Sequence, residues 1–127
     1  MAKKVLIIED NTQNRYLFSV LLKHHGYTVI EATTGTEGLK IADKYRPDLI
    51  LLDIQLPDID GYEVARKLRV NSALSTTPVV AVTSYAMVGD RQKALEAGCN
   101  GYIEKPINPV TFADEIRQIL SELIDKR

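Results

Sequence analysis

The sequence is short of most features that would place it outside a cell or in a membrane. It has a single cysteine, Cys99, so no internal disulfide can form. No apolar run is long enough to span a bilayer. The opening Met1-Ala2-Lys3-Lys4 leads into a short apolar run, Val5 to Ile8, which an acidic pair closes, so it does not read as a secretory signal. Neither sign of charge dominates: 16 basic residues face 17 acidic ones, for a formal net charge of −1. That balance removes any general electrostatic reason to bind nucleic acid or an anionic membrane surface. No linker, internal repeat or low-complexity tail interrupts the pattern. These absences predict a cytoplasmic protein with no nucleic-acid and no membrane partner. What is present is ordinary for a globular chain: 127 residues, 45% hydrophobic and 26% charged. That is enough for one core and too little for two ordinary domains. A single domain over 1–127 is expected, with the last helical stretch running nearly to Arg127 and no effector domain after it.

Short apolar runs alternate with longer amphipathic stretches. Val5-Leu6-Ile7-Ile8, Asp48 to Asp53 and Pro78 to Thr83 are continuous and rich in β-branched residues, as in strands buried on both faces of a parallel sheet. Tyr27 to Ala32 alternates more and suits an edge; Gly101-Tyr102-Ile103 is a short fifth strand. Between them lie five helical stretches. The first carries Leu17, Val20, Leu21 and His24 on one face and stops at Gly26. The second runs from Gly38 to Lys44 and ends at Arg46-Pro47. The third spans Tyr62 to Val70, with Val64 and Leu68 inward. The fourth spans Asp90 to Ala97 and stops at Gly98. The fifth begins with Asn108 as cap and Pro109 at the first helical position, followed by the stripe Phe112, Ile116, Ile119, Leu120 and Leu123. Strands alternating with helices imply right-handed βαβ units. The fold class is therefore α/β, a doubly wound five-stranded parallel sheet with five helices, and the most apolar strands belong at its centre, favouring the order 2-1-3-4-5.

In such sheets ligands bind beyond the carboxyl ends of the strands, where the winding reverses. Here that crevice lies between the first strand, ending in Glu9-Asp10, and the third, ending in Asp53. Three carboxylates gathered in a partly desolvated cleft repel one another, so their pKa values rise or a cation neutralises them. An all-oxygen, open site favours Mg2+. Thr83 ends the fourth strand and Lys105 follows the fifth, just before Pro106. A carboxylate nucleophile, a Mg2+ ion, a lysine and a hydroxyl are the parts that phosphoryl transfer onto aspartate needs. Each residue alone has a plainer explanation as a solvated loop acid, a turn or a cap; their convergence on one crevice gives the chemistry.

With these residues in place, the chain resembles the receiver domain of bacterial two-component response regulators. The resemblance covers essentially the whole chain and rests on Val5 to Asn11 (VLIIEDN), Pro47 to Gly61 (PDLILLDIQLPDIDG), Pro78 to Ser84 (PVVAVTS) and Gly101 to Pro106 (GYIEKP). It looks like a stand-alone regulator of the chemotaxis or cell-division type, with Glu9-Asp10-Asn11 and Asn14 leaning toward the latter and toward the receivers of hybrid kinases. The resemblance implies a flavodoxin-like fold and specific roles. Asp53 would accept the phosphoryl group. Asp10, Asp53 and the backbone carbonyl of Gln55 would bind Mg2+, with Glu9 acting through a water. Lys105 and Thr83 would hold phosphoryl oxygens, the Lys105-Pro106 peptide would be cis, and Tyr102 would be the switch aromatic, turning inward as Thr83 moves. The donor would be a histidine kinase or histidine phosphotransfer protein. A downstream protein would read the fourth helix, fifth strand and fifth helix, on a monomer or a phosphorylation-dependent dimer.

Some positions depart from the commonest pattern. Leu56 and Ile59 replace frequent methionines, and Ser84 a frequent alanine, all without expected loss. Gln55 and Tyr85 border the reacting group; the bulk of Tyr85 is expected to limit water access and slow loss of the phosphoryl group. Gln55 also weighs against the main rival, a phosphatase with an aspartyl-phosphate intermediate, which usually has a second aspartate there. A degenerate receiver working without phosphorylation is opposed by the presence of Asp10, Asp53, Thr83 and Lys105 together. The protein is therefore not expected to be an enzyme beyond its own phosphorylation and dephosphorylation. His24-His25 is a poor chelate, since adjacent helical side chains diverge. Cys99 is expected to be a small, partly buried residue. Tyr85-Ala86-Met87-Val88 suits packing or partner binding equally.

Overall fold

The apolar runs become five strands: β1 Lys4–Ile8, β2 Thr28–Ala32, β3 Leu49–Asp53, β4 Val79–Thr83 and β5 Gly101–Glu104. The helices are α1 Thr12–His24, α2 Gly35–Tyr45, α3 Gly61–Val70, α4 Asp90–Glu96 and α5 Phe112–Asp125. The computed structural model describes residues 3–84 and 88–125. All strand pairs are parallel and the order is β2-β1-β3-β4-β5, as the sequence predicts.

The continuous apolar runs are explained by two cores, one on each face of the sheet. Leu6, Ile8, Ile50, Leu52, Val79 and Ala81 point to one side and pack with Ala42, Val64, Leu68 and Ala94 of α2, α3 and α4. Val5, Ile7, Leu49, Leu51, Val80 and Val82 point to the other and pack with Phe18 and Leu22 of α1 and Phe112 and Ile116 of α5. Successive strand residues alternate sides, so a strand covered on both faces must be apolar at every position. β2 is one of the two edge strands, and Thr28 and Glu31 are exposed there.

Two local expectations need correction. On α1 the buried residues are Phe18, Ser19 and Leu22, with Leu17 and Leu21 half-buried. Val20 and His24 are exposed. The reason is the ring of Phe18, which stacks on Phe112 with centroids 5.4 Å apart and an interplanar angle of 18°. Burying that ring and its partner one turn on, Leu22, outweighs burying Val20. α2 starts three residues earlier than predicted, at Gly35. Its cap is Thr34, whose hydroxyl accepts from the Glu37 N–H at 3.1 Å, while the Glu37 carboxylate accepts from the Thr33 N–H at 2.8 Å. That resembles a capping box, with Glu37 reaching one residue past the cap, and its Thr-x-x-Glu spacing is written in the sequence. Asn108 caps the last helical segment as expected: its side chain accepts from Val110 N–H at 2.9 Å, although the regular helix begins only at Phe112.

Candidate functional site

The strand register delivers the acids to one place. Ile8 pairs with Leu52, so the next residues along, Glu9 and Asp53, lie level at the carboxyl end of the sheet. Asp53 pairs with Val82, setting Thr83 one step beyond it. Thr83 pairs with Glu104, and its carbonyl accepts from the Lys105 N–H at 2.8 Å. Glu9, Asp10 and Asp53 then each offer a carboxylate oxygen within 4.8 Å of the others.

Burial distinguishes the three. Glu9 is 1% exposed and Asp53 4%, whereas Asp10 is open to solvent. The Lys105 ammonium donates to Glu9 Oε1 at 2.6 Å and lies 3.5 Å from Asp53 Oδ2. The other oxygens are also engaged: Gln55 N–H donates to Asp53 Oδ1 at 3.0 Å, and Asn11 N–H donates to Glu9 Oε2 at 3.1 Å. Burial, and then the hydrogen bond and negative charge of Glu9, push the Asp53 carboxyl up to about 7, against the opposing pull of the Gln55 N–H and Lys105. One lysine does not balance the buried acids. The donor set, all oxygen with one member facing solvent, fits a hard divalent cation that keeps part of its water shell.

Tyr102 is 8% exposed and packs among Ala94, Ala97 and Cys99. Its hydroxyl is buried without a hydrogen-bond partner among the described residues, and the Arg91 guanidinium lies 5.5 Å from its ring centre. The ring is thus already inside. The Lys105–Pro106 peptide is cis. Gln55 is exposed beside Asp53, and Thr83 is 2% exposed. Tyr85, Ala86 and Met87 lie outside the described residues; Val88 is fully exposed. His24 and His25 are exposed, edge to face, and join no acidic or cysteine cluster among the described residues. Cys99 is buried more completely than expected, which pushes its thiol up to about 11.

Two supporting residues escape sequence reasoning. Arg15 reaches back from α1 and donates to the carbonyls of Glu9 at 3.0 Å and Asp10 at 3.3 Å, while pairing with Glu31 at 3.1 Å. Asp58 accepts three hydrogen bonds from the first turn of α2. Only the fold brings these partners together, and no local pattern announces them.

With this geometry in hand, residues 5–117 match the response regulator receiver domain. The chain belongs to that family. The receiver is 43% identical over 122 residues to the polar-differentiation response regulator DivK of Brucella anthropi, covering 96% of this chain and 99% of DivK. It is also similar to a CheY-like receiver domain protein of Methanospirillum hungatei, 31% identical with a TM-score of 0.90 and both chains fully covered. The receiver domain of a sensor histidine kinase from Pseudomonas aeruginosa, solved with a magnesium ion coordinated in its active-site cleft, is 33% identical with a TM-score of 0.84, over 98% of this chain and 99% of that one. The receiver thus takes its place in two-component signalling, where kinases and phosphotransfer proteins are the general partners. Among its described residues no helix is long and apolar enough to cross a membrane.

Proposed function

We propose that the receiver, as one domain over 1–127, accepts a phosphoryl group on Asp53 from a phosphohistidine of a histidine kinase or histidine phosphotransfer protein. The observation that carries this reading is the meeting of Glu9, Asp10 and Asp53 within 4.8 Å, with the Lys105 ammonium on two of them. Asp10, Asp53 and the Gln55 carbonyl would hold Mg2+, with Glu9 acting through a water. The ion supplies positive charge against the transferring group.

The chain's own residues do the rest. An Asp53 carboxylate oxygen attacks phosphorus, the P–N bond of the donor imidazole breaks, and the bonding pair leaves with the imidazole nitrogen. The product is an acyl phosphate on Asp53. Lys105, held by Glu9 before transfer, is close enough to Asp53 to turn toward a new phosphoryl oxygen. Thr83, on the neighbouring strand end, would hydrogen-bond another. The added negative charge biases a two-state equilibrium in which Thr83 and Tyr102 adjust together. A factor of ten in that balance takes about 1.4 kcal/mol, within reach of a few charge-assisted hydrogen bonds.

The output would be read on α4, β5 and α5 by a protein partner, on a monomer or a phosphorylation-dependent dimer. A cavity of about 310 Å3 there, lined by Arg91, Tyr102, Glu115, Gln118 and Glu122, supports that assignment. The domain would turn over only its own phosphoryl group, in the cytoplasm, without nucleic-acid or membrane partners. Incubation with Mg2+ and acetyl phosphate followed by intact mass tests the reading. A phosphoryl adduct on wild type and none on Asp53→Asn is expected; equal labelling of both would refute it.

A further inference from the structure

The segment between β3 and α3, residues 54–60, carries the Gln55 carbonyl assigned above to the cation. At its start the backbone is well fixed: Ile54 N–H donates to the Val82 carbonyl at 3.2 Å, and Gln55 N–H to Asp53 at 3.0 Å. At its end Gly61 N–H returns to the Ile54 carbonyl at 3.0 Å. A Cβ on Gly61 would come within 2.5 Å of Ile54 Cα, so the two ends of the segment must touch.

The middle is held from outside. Asp58 Oδ1 accepts from Gly35 N–H at 2.8 Å, and Oδ2 accepts from Thr36 N–H at 2.9 Å and the Thr36 hydroxyl at 2.6 Å. α2 already has its own cap in Thr34, so Asp58 takes donors that Thr34 does not reach. Ile59 lies against the same turn, where a Cβ on Gly35 would meet its Cγ1 at 2.5 Å. One carboxylate and one apolar contact therefore pin the tip of the segment to a helix that contributes nothing else to the acidic cluster.

We propose that Asp58 is a positioning residue for divalent-cation binding, tying the 54–60 segment to the first turn of α2 so that the Gln55 carbonyl stays in reach of the cation. The inference rests on the proposed function, because Gln55 matters only if the acidic cluster takes Mg2+. Partners that orient ligands in this way commonly change metal affinity by an order of magnitude when removed. A mere helix cap would change stability and leave affinity alone.

The test uses Mg2+ alone, titrated calorimetrically into the full chain, with intact-mass labelling by acetyl phosphate alongside. Asp58→Ala is expected to weaken Mg2+ binding about tenfold. Thr36→Val, which removes one donor, should weaken it less, and Asp58→Asn, which keeps one acceptor oxygen, should fall between wild type and Asp58→Ala. Unchanged Mg2+ affinity in a cooperatively melting Asp58→Ala, or in Thr36→Val if Asp58→Ala does not fold, would overturn the inference. A wild type that labels on Asp53 while every variant binds Mg2+ equally sinks this inference alone; a wild type that never labels sinks the reading beneath it.

Discussion

Among the carboxylates at the strand ends, Asp53 stands under the greatest tension. It is buried, hydrogen-bonded by one backbone N–H, and faces a second buried acid across a single lysine. At neutral pH without a cation, the native state must either keep a proton on Asp53 or hold a poorly balanced charge, and both oppose folding. Partial solvation of the cleft screens the penalty, leaving a cost of about 2 kcal/mol. Asp53→Asn should therefore raise the melting temperature in EDTA by about 5 °C. Wild type should gain about 2.7 kcal/mol from Mg2+ at a hundred times its dissociation constant, and the variant much less. Melting curves with EDTA and with Mg2+ check both. Tyr102 carries a different tension, a buried hydroxyl with no hydrogen-bond partner among the described residues. Tyr102→Phe should leave stability unchanged or raise it by up to about 1 kcal/mol, measured by urea unfolding. The two residues also differ in legibility. Asp53 could be picked out because an acid abruptly ends an apolar run, which is a local signal. The surroundings of the Tyr102 hydroxyl are set in three dimensions, so no neighbour in sequence announces them.

The elements were legible where an end is marked by local chemistry. Gly98 stops α4 because its φ of 106° suits a residue without a Cβ. The capping pattern of α2 was also written locally, in Thr34 and Glu37, although the helix starts before the expected Gly38, at Gly35. The inward face of α1 was less legible, because both Val20 and Phe18 are apolar and only the position of Phe112 decides between them. Least legible was the joint between α3 and the α4–β5 turn. Arg69 donates to the Gly98 carbonyl at 2.9 Å, the Thr77 carbonyl at 2.7 Å and Asn100 Oδ1 at 2.8 Å, and Asn100 Oδ1 also accepts from Val79 N–H at 2.9 Å. Arg69→Ala leaves several half-buried acceptors without donors and should cost about 3 kcal/mol. Gly98→Ala should cost about 1–2 kcal/mol from its backbone conformation alone. A Cβ there would also meet Arg69 Cγ at 2.6 Å. With Arg69 truncated that clash disappears, so the double variant should be less destabilised than the sum of the singles. Denaturant midpoints of the four proteins measure the coupling; strict additivity would show that the two residues act independently.

At the scale of the molecule, topology turns separate strand ends into one site. The sheet order places β1 between β2 and β3 and lays Glu9 beside Asp53. Parallel order and the crevice were legible because continuous apolar runs have few other uses in a chain of this size. What the pattern of strands and helices does not reveal is how the site's loops are tied to distant helices. Asp58 and the first turn of α2 are such a tie, and it has a signature in acid. The hydrogen bonds from the Thr36 hydroxyl, then the Thr36 and Gly35 N–H groups, hold the Asp58 carboxyl well below the usual carboxylate range. A folded-state pKa below the unfolded value of about 3.9 means that the charged form is favoured by folding. The contribution is present in full above the unfolded pKa and is lost as pH falls through the folded one. Asp58→Asn keeps the shape of the side chain without its charge, so it should be less stable than wild type at pH 7. The gap should hold down to about pH 5, narrow below about pH 4, and keep closing as the wild-type carboxylate takes up its proton. Urea midpoints of both proteins from pH 7 to pH 3 decide the matter, and a gap that stays constant across that range would show that the charge of Asp58 contributes nothing to holding the loop against α2.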